Sequence, residues 1–333
     1  MTIAVIGAGA IGSVIAAFLT KAGLKVLLVG RSSQIEAMGR NGLNVQTAQG
    51  QENYQIPLAT VLDHAYDLII FAVKTQDLEQ AYQQNHAYLL EGLILTTQNG
   101  IQADNLLSCH FDKERMITSI VMFGATYTKP GEVTFNFPGD WIIGRSFMPN
   151  DPAIHRIAKV LGQAFPMVIS EDIMGMKWLK LFINFNNCLP ALVGKSMQET
   201  FADLDFCRLS IRLLKEGWEI VRRAGIELVS LPQFPLQRMD GLINMPEEQA
   251  SDIIRKTLTT LSREPLYGSI LQSLMRRRLS EIDYINGEVT QVARNFHMDS
   301  PLNRKVVDLV HQVEAEGRFF APEEVKRGFG LIP

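Results

Sequence analysis

The sequence predicts an α/β fold, with a doubly wound parallel sheet in the N-terminal half and an all-helical C-terminal half. Three observations lead to this prediction. A glycine turn joins an apolar strand pattern to a helix at the N terminus, short apolar runs alternate with helical stretches up to residue 169, and only helical patterns follow from Ser170 onward. Because the 333 residues exceed a typical domain of about 150, we expect two domains, 1–169 and 170–333.

The first element combines a strand, a glycine turn and a helix. Residues 3–6 are apolar, and Gly7-Ala8-Gly9-Ala10-Ile11-Gly12 follows at once, before an apolar helical pattern through Leu19. Gly7 permits the tight turn, Gly9 lets backbone N–H groups approach a pyrophosphate, and Gly12 lets the helix pack closely on the strand. The helix N terminus adds N–H donors and a partial positive charge. This context predicts a Rossmann-like dinucleotide-binding site.

Residues 1–20 carry no charged side chain, as in a signal peptide or a membrane span. They lack the basic segment that precedes a signal sequence, and glycines placed for a turn would weaken a membrane helix. We therefore expect the chain to keep its N terminus, to be soluble and to have no membrane partner.

Charge and cysteine usage narrow the class of protein. A net charge of −3 favours neither nucleic acid nor an anionic membrane as a partner. The 47% of hydrophobic and 20% of charged residues are typical of a globular protein. The three cysteines form no C-x-x-C pair and the six histidines lack metal-ligand spacing. We expect no disulfide, no metal and a cytoplasmic location.

The remaining elements of the N-terminal half follow the same alternation. Strands are predicted at 25–29, 68–73 and 93–97, and helices at 34–40 and 76–90. The β-rich runs 117–123 and 133–137 flank the turn Lys129-Pro130-Gly131, so we expect an antiparallel extension of the sheet there. A helix at 152–164 and a strand at 167–169 complete this half.

The C-terminal half shows helical patterns only. Ser170 is a candidate N-cap, with Glu171 and Asp172 in the first helical turn. Gly225 would end a helix over 208–224. Further helices are predicted at 246–261, 269–279, 281–295 and 301–316.

Arg31 follows the second predicted strand, where a dinucleotide fold selects its cofactor. An acid at this position binds the ribose 2′-hydroxyl, whereas a basic residue accommodates a 2′-phosphate. No Asp or Glu occurs between Lys25 and Gln34. The sequence therefore predicts NADPH, with a solvated surface arginine as the alternative.

Polar residues also follow two further strands. Lys74-Thr75 comes after the strand at 68–73, and Gln98-Asn99-Gly100 after the strand at 93–97. Because ligands bind at the carboxyl edge of open α/β sheets, both are candidate contacts. Capping of the next helix is the alternative for each.

The helix after Trp178 places Lys180, Asn184 and Cys188 at i, i+4 and i+8, with Asn187 beside them. These residues would share one face of an otherwise apolar helix, facing either solvent or a polar cleft. Glu281 comes later, and an N-terminal helix acid is its alternative role. We assign no role to Arg276-Arg277-Arg278, which is typical of a solvated basic face.

Together these motifs resemble the ketopantoate reductase (2-dehydropantoate 2-reductase) family over nearly the whole chain. The resemblance rests on the glycine turn, Arg31, Val73-Lys74-Thr75, Gln98-Asn99-Gly100, Lys180 with Asn184, Ser269, and Glu281-Ile282-Asp283-Tyr284-Ile285-Asn286-Gly287. It implies NADPH-dependent reduction of 2-dehydropantoate, a small-molecule 2-oxo acid, to (R)-pantoate on the route to pantothenate and coenzyme A. The substrate is expected in the cleft between the two domains.

The resemblance also implies site residues. Lys180 would be the general acid and Glu281 would reach the substrate or the cofactor. Substrate contacts would come from Asn99, Asn184, Cys188 and Ser269. Cofactor contacts would come from Gly7, Ala8, Gly9, Ala10, Ile11, Gly12, Arg31, Lys74 and Asn99. The state of assembly is open, and a homodimer is one alternative.

The implied chemistry agrees with the residue types. Hydride addition to a ketone creates an alkoxide, and a lysine with a pKa near 10.4 supplies both a positive charge and a proton. Three positions depart from the family pattern. This chain has Cys188 and Gln198 where the family has asparagine, and Ser273 where it has aspartate. The substrate alternatives are therefore another 2-oxo acid or an opine-type reaction. An alternative of a different class is an NADP-sensing protein without catalysis, which has kept the cofactor domain.

Overall fold

Residues 1–262 and 264–333 are described by a computed structural model, in which the chain divides into two units, Met1–Met174 and Gly175–Pro333. Among the described residues, all the strands lie in unit 1 and unit 2 is helical, as the sequence predicts. Within the described residues, none of the helices combines the length and the apolar character needed to cross a membrane.

Eight strands of unit 1 form the main sheet, in the order β12-β11-β8-β7-β6-β1-β2-β5. Neighbours are parallel except β8 and β11, so β11 and β12 run against the other six strands. These strands are β1 (Thr2–Ile6), β2 (Lys25–Val29), β5 (Leu58–Ala59), β6 (Leu68–Phe71), β7 (Leu93–Thr96), β8 (Met116–Val121), β11 (Trp141–Gly144) and β12 (Met167–Ile169).

Helices cover the main sheet on both faces. Alternate residues of β1 point to opposite sides, so that Ile3 and Val5 join one apolar core while Ala4 and Ile6 join the other. The two-sided burial explains why these strands are continuous apolar runs. The helices of this unit are α1 (Ala10–Lys21), α2 (Ser32–Asn41), α3 (Leu78–Asn85), α4 (Gln102–Leu107) and α5 (Pro152–Leu161).

A second, four-stranded sheet lies against the outer side of α1, in the order β4-β3-β10-β9. Because α1 is packed between two sheets, residues from Gly12 to Ala17 are all buried, which accounts for the uncharged N-terminal segment. The strands are β3 (Leu43–Thr47), β4 (Gly50–Tyr54), β9 (Gly124–Lys129) and β10 (Glu132–Phe137).

The second sheet corrects the prediction for residues 115–144. Lys129-Pro130-Gly131 does connect an antiparallel pair, but β9 and β10 form that pair and belong to the second sheet rather than to an extension of the first. Within residues 115–144, only β11 extends the main sheet in the antiparallel sense, beside β8. The prediction missed β3 and β4 because their many Asn and Gln side chains hide the strand pattern, and because β10 pairs with β3 across about ninety residues of chain.

Unit 2 is built around α9, a 20-residue helix that packs against α8, α10, α11, α13 and α14. Helix α6 (Ile173–Asn184) begins in the last two residues of unit 1, and its Phe182 ring meets Trp218 of α9 at 5.1 Å between centroids. The other helices are α7 (Cys188–Val193), α8 (Met197–Phe201), α9 (Leu204–Arg223), α10 (Leu236–Asn244), α11 (Glu247–Thr259), α12 (Ser269–Met275), α13 (Asn286–Asn295), α14 (Pro301–Glu316) and α15 (Pro322–Gly328).

The predicted start of the helical half is wrong in detail. Ser170 does not cap a helix, because its N–H donates to the carbonyl oxygen of Ile143 and so continues the pairing of β12 with β11. Helix α6 begins three residues later, at Ile173. The helix predicted over 269–279 ends at Met275, and the one predicted from residue 281 begins as a 3-10 turn, Ile282–Tyr284, before α13.

Candidate active site

The glycine turn after β1 has the geometry that its sequence predicts. Gly7 has a φ of +121°, and a Cβ there would lie 2.7 Å from the carbonyl carbon of Ala72. A Cβ on Gly12 would overlap the carbonyl oxygen of Gly7. Both positions therefore require glycine, one for the turn and one for the close approach of α1 to β1.

The turn and the start of α1 fit a bound pyrophosphate. A Cβ built on Gly9 would meet no heavy atom within 4 Å, so this side of the turn is open. No side chain caps the N terminus of α1, and its first turn holds no acidic residue. Backbone N–H groups and the helix dipole are thus available to an anion on the open side.

Gln34 connects the glycine turn to Arg31. Its Nε2 donates to the carbonyl oxygen of Ala8 at 2.7 Å and to the hydroxyl of Tyr127 at 3.3 Å, while its Oε1 accepts from the N–H of Arg31 at 3.1 Å. The Arg31 guanidinium reaches outward, half-exposed, and its Nη2 lies 3.4 Å from Oδ2 of Asp77. Arg31 is therefore fixed relative to the turn through its backbone, with its charged end near an acid.

The other polar residues predicted at the carboxyl edge also lie there. Lys74 and Asn99 are partly buried and follow β6 and β7. Gln98 is buried, and its Nε2 donates to the carbonyl oxygens of Phe71 at 2.9 Å and Val73 at 2.8 Å. Gln98 thus connects the end of β7 to the end of β6 by hydrogen bonds, which fixes the residues that follow the two strands relative to each other.

Asp104 of α4, which was not predicted, forms hydrogen bonds to two strands near the same edge of the sheet. Its carboxylate accepts from the hydroxyls of Thr96 at 2.7 Å and Thr118 at 2.6 Å, all in the interior. This arrangement joins α4 to β8 and to β7, the strand that Asn99 follows. An acid in the first turn of a helix was the available signal, but such acids are usually exposed.

Lys180 lies on α6, partly buried, in an environment that disfavours its charge. Burial and the nearby Lys177 lower its pKa to about 8, while the Glu281 carboxylate raises it. Glu281 is buried at the start of the Ile282–Tyr284 turn, so the structure brings the two residues together from positions a hundred residues apart in the chain. Lys177, which is buried, was missed because a lysine one turn away on a helix is usually a solvated residue.

The structure contradicts one regular helix through Lys180, Asn184 and Cys188. Helix α6 ends at Asn184, the 3-10 turn Phe185–Asn187 follows, and α7 then begins. Pro190 is compatible with this break, because it lies in the first turn of α7, where a missing N–H leaves no helical hydrogen bond unmade. The turn rotates Cys188 away from the face of Lys180, since 3-10 residues advance by a larger angle than α-helical ones.

Cys188 consequently lies in the interior. It is fully buried, and its Sγ lies 3.0 Å from the carbonyl oxygen of Phe185. Burial raises the pKa of the thiol to about 12. The structure therefore places Cys188 among packed residues rather than on the surface that Asn184, which is partly exposed, presents.

Ser269 is the first residue of α12 and is partly exposed. Asn187 lies against the preceding residue, because a Cβ on Gly268 would be 2.5 Å from the Asn187 side-chain oxygen. The hydroxyl of Ser273 donates to the carbonyl oxygen of Ser269 at 2.9 Å. Unit 2 thus places Lys180 near Glu281, and Asn187 near the start of α12.

Gln198 has a structural role at its position. Its Nε2 donates to the carbonyl oxygens of Ser262 at 3.1 Å and Glu264 at 2.8 Å, and its Oε1 accepts from the N–H of Leu266 at 3.0 Å. The side chain therefore holds the segment that leads to Ser269. The longer side chain of glutamine, compared with asparagine, reaches three backbone groups of this segment.

Sequence profiles place the chain among known proteins. The profile described as ketopantoate reductase PanE/ApbA matches residues 3–146, and the profile of its C-terminal part matches residues 172–314. The 2-dehydropantoate 2-reductase of Pyrococcus abyssi is 27% identical over 322 residues, covering 96% of this chain and 100% of that protein. The enzyme of that name from Pyrococcus horikoshii is 26% identical over 320 residues, covering 95% and 99%.

Solved structures share the fold. The PanE/ApbA family ketopantoate reductase from Ralstonia eutropha JMP134 superposes with a TM-score of 0.79 at 24% identity, covering 95% of this chain and 99% of that one. A D-mandelate dehydrogenase in complex with NADH and anilino(oxo)acetate has a TM-score of 0.83 at 22% identity, with the same coverage. The two profile matches together span most of both units. The chain belongs to the ketopantoate reductase family and is a nicotinamide-dependent oxidoreductase.

Proposed function

We propose that the protein uses NADPH to reduce 2-dehydropantoate to (R)-pantoate, with the cofactor held by unit 1 and the substrate by residues of unit 2. The observation that carries the proposal is the approach of Lys180 on α6 to the buried Glu281, in a chain whose glycine turn is open beside Gly9. The pKa of Lys180, about 8, agrees with this role, because most of the ammonium is protonated at pH 7 and its proton is easier to release than in an ordinary lysine.

The residues of unit 1 fit the cofactor. The open side of Gly9 and the N terminus of α1 would hold the pyrophosphate, and Arg31 would pair with the 2′-phosphate. Lys74 and Asn99, at the ends of β6 and β7, would contact the more distant parts of the dinucleotide. When bound, the cofactor supplies a hydride.

The residues of unit 2 fit a 2-oxo acid. The Lys180 Nζ donates a hydrogen bond to the ketone oxygen and transfers its proton as negative charge develops there. Glu281 favours the charged form of the lysine before the transfer. The amide of Asn184 and the hydroxyl of Ser269 can donate to the carboxylate without adding a competing negative charge.

Substitution of Lys180 tests this role. A positioned general acid contributes about 10²–10⁴-fold, so Lys180→Ala should lower kcat by about that factor and leave the Kd for NADPH nearly unchanged. Lys180→Arg should restore little activity, because a guanidinium keeps the charge but does not release its proton. A Lys180→Ala enzyme with more than about a third of wild-type kcat, when chemistry limits the rate, would assign the proton to another donor.

A second candidate is another 2-oxo acid on the same machinery. The family pattern has asparagine at Cys188 and aspartate at Ser273, and both positions are buried here. This chain therefore offers the substrate neither that amide nor that carboxylate. A panel of NADPH oxidation rates with 2-dehydropantoate and with aliphatic, hydroxylated and aromatic 2-oxo acids distinguishes the two. Preference for 2-dehydropantoate supports the first candidate, preference for another acid supports the second, and no turnover with any acid contradicts both.

A further inference from the structure

Asp77 lies where it faces the charged end of Arg31. It belongs to the 3-10 turn Thr75–Asp77, directly after Lys74 at the carboxyl edge, and its Oδ2 is 3.4 Å from Nη2 of Arg31. About half of the Arg31 side chain and a third of the Asp77 side chain are exposed, at 54% and 36%. An exposed pair with this separation contributes little to stability, so it exchanges partners readily.

Of Arg31, only the guanidinium end can change its partner. The Arg31 backbone is fixed by Gln34, which also binds the carbonyl oxygen of Ala8 in the glycine turn. An adenosine ribose next to the turn would therefore meet two groups of opposite charge. A guanidinium reaches it from the end of β2 and a carboxylate from the segment after β6.

The two groups favour different riboses. A 2′-phosphate carries about −1.5 to −2 charges at neutral pH and is repelled by a carboxylate, although it pairs with a guanidinium. A 2′-hydroxyl donates a hydrogen bond to a carboxylate, as it does to the acid that follows the second strand in NAD-binding domains. Here that acid is missing after β2, and the Asp77 carboxylate stands close to the same arginine.

We propose that Asp77 is a second determinant of cofactor choice, which competes with the 2′-phosphate of NADPH for Arg31 and accepts a hydrogen bond from the 2′-hydroxyl of NADH. This inference rests on the proposed pairing of Arg31 with the 2′-phosphate. It makes the enzyme less selective for NADPH than Arg31 alone would make it.

Two nucleotides without nicotinamide provide the test. Adenosine 2′,5′-bisphosphate and adenosine 5′-monophosphate differ only in the 2′-phosphate, and calorimetric titration of the full-length protein measures their Kd values without turnover. Asp77→Asn should tighten the bisphosphate about fivefold, the ratio that corresponds to an exposed charge pair, and should weaken the monophosphate by a similar factor.

Glu52→Gln is the matched control. Glu52 also forms an exposed ion pair in unit 1, with Lys21 at 2.7 Å, but at the opposite end of the 12-residue helix α1 from the glycine turn. Glu52→Gln removes one negative charge, as Asp77→Asn does, and should leave both Kd values unchanged. Thermal unfolding of both variants tests whether each is folded.

The outcomes separate this inference from the cofactor assignment. If Arg31→Ala weakens only the bisphosphate and Asp77→Asn changes neither Kd, the role of Asp77 is overturned and NADPH remains assigned. If Arg31→Ala weakens both nucleotides equally, the 2′-phosphate pairing fails and the role of Asp77 fails with it. Equal tightening of both nucleotides by Asp77→Asn also overturns the inference, because it would show a general effect of charge.

Discussion

Lys180 is a single residue whose chemistry depends on its surroundings. Burial and the positive charge of Lys177 disfavour its ammonium, while Glu281 favours it, and the balance leaves its pKa at about 8. A solvated lysine would be protonated at every physiological pH and would release its proton less readily. The environment therefore brings the pKa close to neutrality, which suits the general acid that we propose.

The pH dependence of the reaction should report this pKa. With Lys180 as the proposed general acid, reduction uses the protonated lysine, so kcat/KM should be level near pH 7 and fall above about pH 8. Oxidation of the hydroxy acid requires the neutral amine, so its kcat/KM should rise through the same pH. Initial rates in both directions between pH 6 and pH 10 measure the two limbs, and parallel rather than opposite limbs would contradict the assignment.

Substitution of Glu281 should shift the pH dependence of kcat/KM in both directions of the reaction. Because its charge raises the pKa of Lys180, Glu281→Gln should shift both limbs to lower pH. Asp283→Asn is the control, since Asp283 is a nearby acid that pairs instead with His311 at 3.0 Å. An unchanged limb in Glu281→Gln would show that the two side chains are not coupled.

The same lysine should cost the protein stability. Its pKa is about 8 in the folded state and about 10.5 in the unfolded chain, so between these values the unfolded chain holds a proton that the folded protein lacks. The contribution of Lys180 to the free energy of unfolding therefore rises with pH from about 8 to 10.5 and is least favourable below pH 8. Lys180→Met should be more stable than wild type at pH 7, and the difference should narrow at pH 9.5. Urea unfolding at both pH values measures it, with the exposed Lys195→Met as the control.

At the scale of elements, the end of α12 carries strain that one substitution should relieve. Arg277 has a φ of +53°, while its N–H donates to Leu274 and the N–H of Arg278 donates to Ser273, which is the Schellman arrangement. Glycine adopts this conformation without the steric cost that a Cβ brings.

Arg277→Gly should therefore raise the free energy of unfolding of unit 2 by about 0.5–1 kcal/mol, or its Tm by about 1–4 °C. Arg278→Gly removes the same charge one residue later, outside the left-handed position, and should not stabilise the protein. Calorimetry of both variants decides the matter, since equal shifts would indicate an effect of charge rather than of backbone conformation.

At the scale of the whole molecule, each unit has its own apolar interior, so unfolding is not expected to follow a single two-state transition. NADPH at about 100 times its Kd should stabilise the native state by about 2.7 kcal/mol. For a domain of this size, that corresponds to about 5–10 °C in the transition of unit 1. Calorimetry with and without NADPH measures the shift, which Arg31→Ala should reduce at the same ligand concentration. An equal shift in the variant would remove Arg31 from the cofactor site.

Local patterns in the sequence were sufficient for much of the fold. The glycine turn, the strand at 167–169 and the helix at 301–316 lie where they were predicted. Their signals arise within a few residues of chain, from side-chain periodicity and from backbone positions that only glycine tolerates. Membership of the family followed from the same kind of signal, since its motifs are short and local.

Long-range contacts decided the rest. The second sheet exists because β3 pairs with β10, and the pKa of Lys180 depends on Glu281, which lies far along the chain. The pairing of Arg31 with Asp77 likewise joins the segments that follow two different strands. Strand pairing, desolvation and ion pairs act between residues that only the tertiary structure brings together, so no local pattern encodes them.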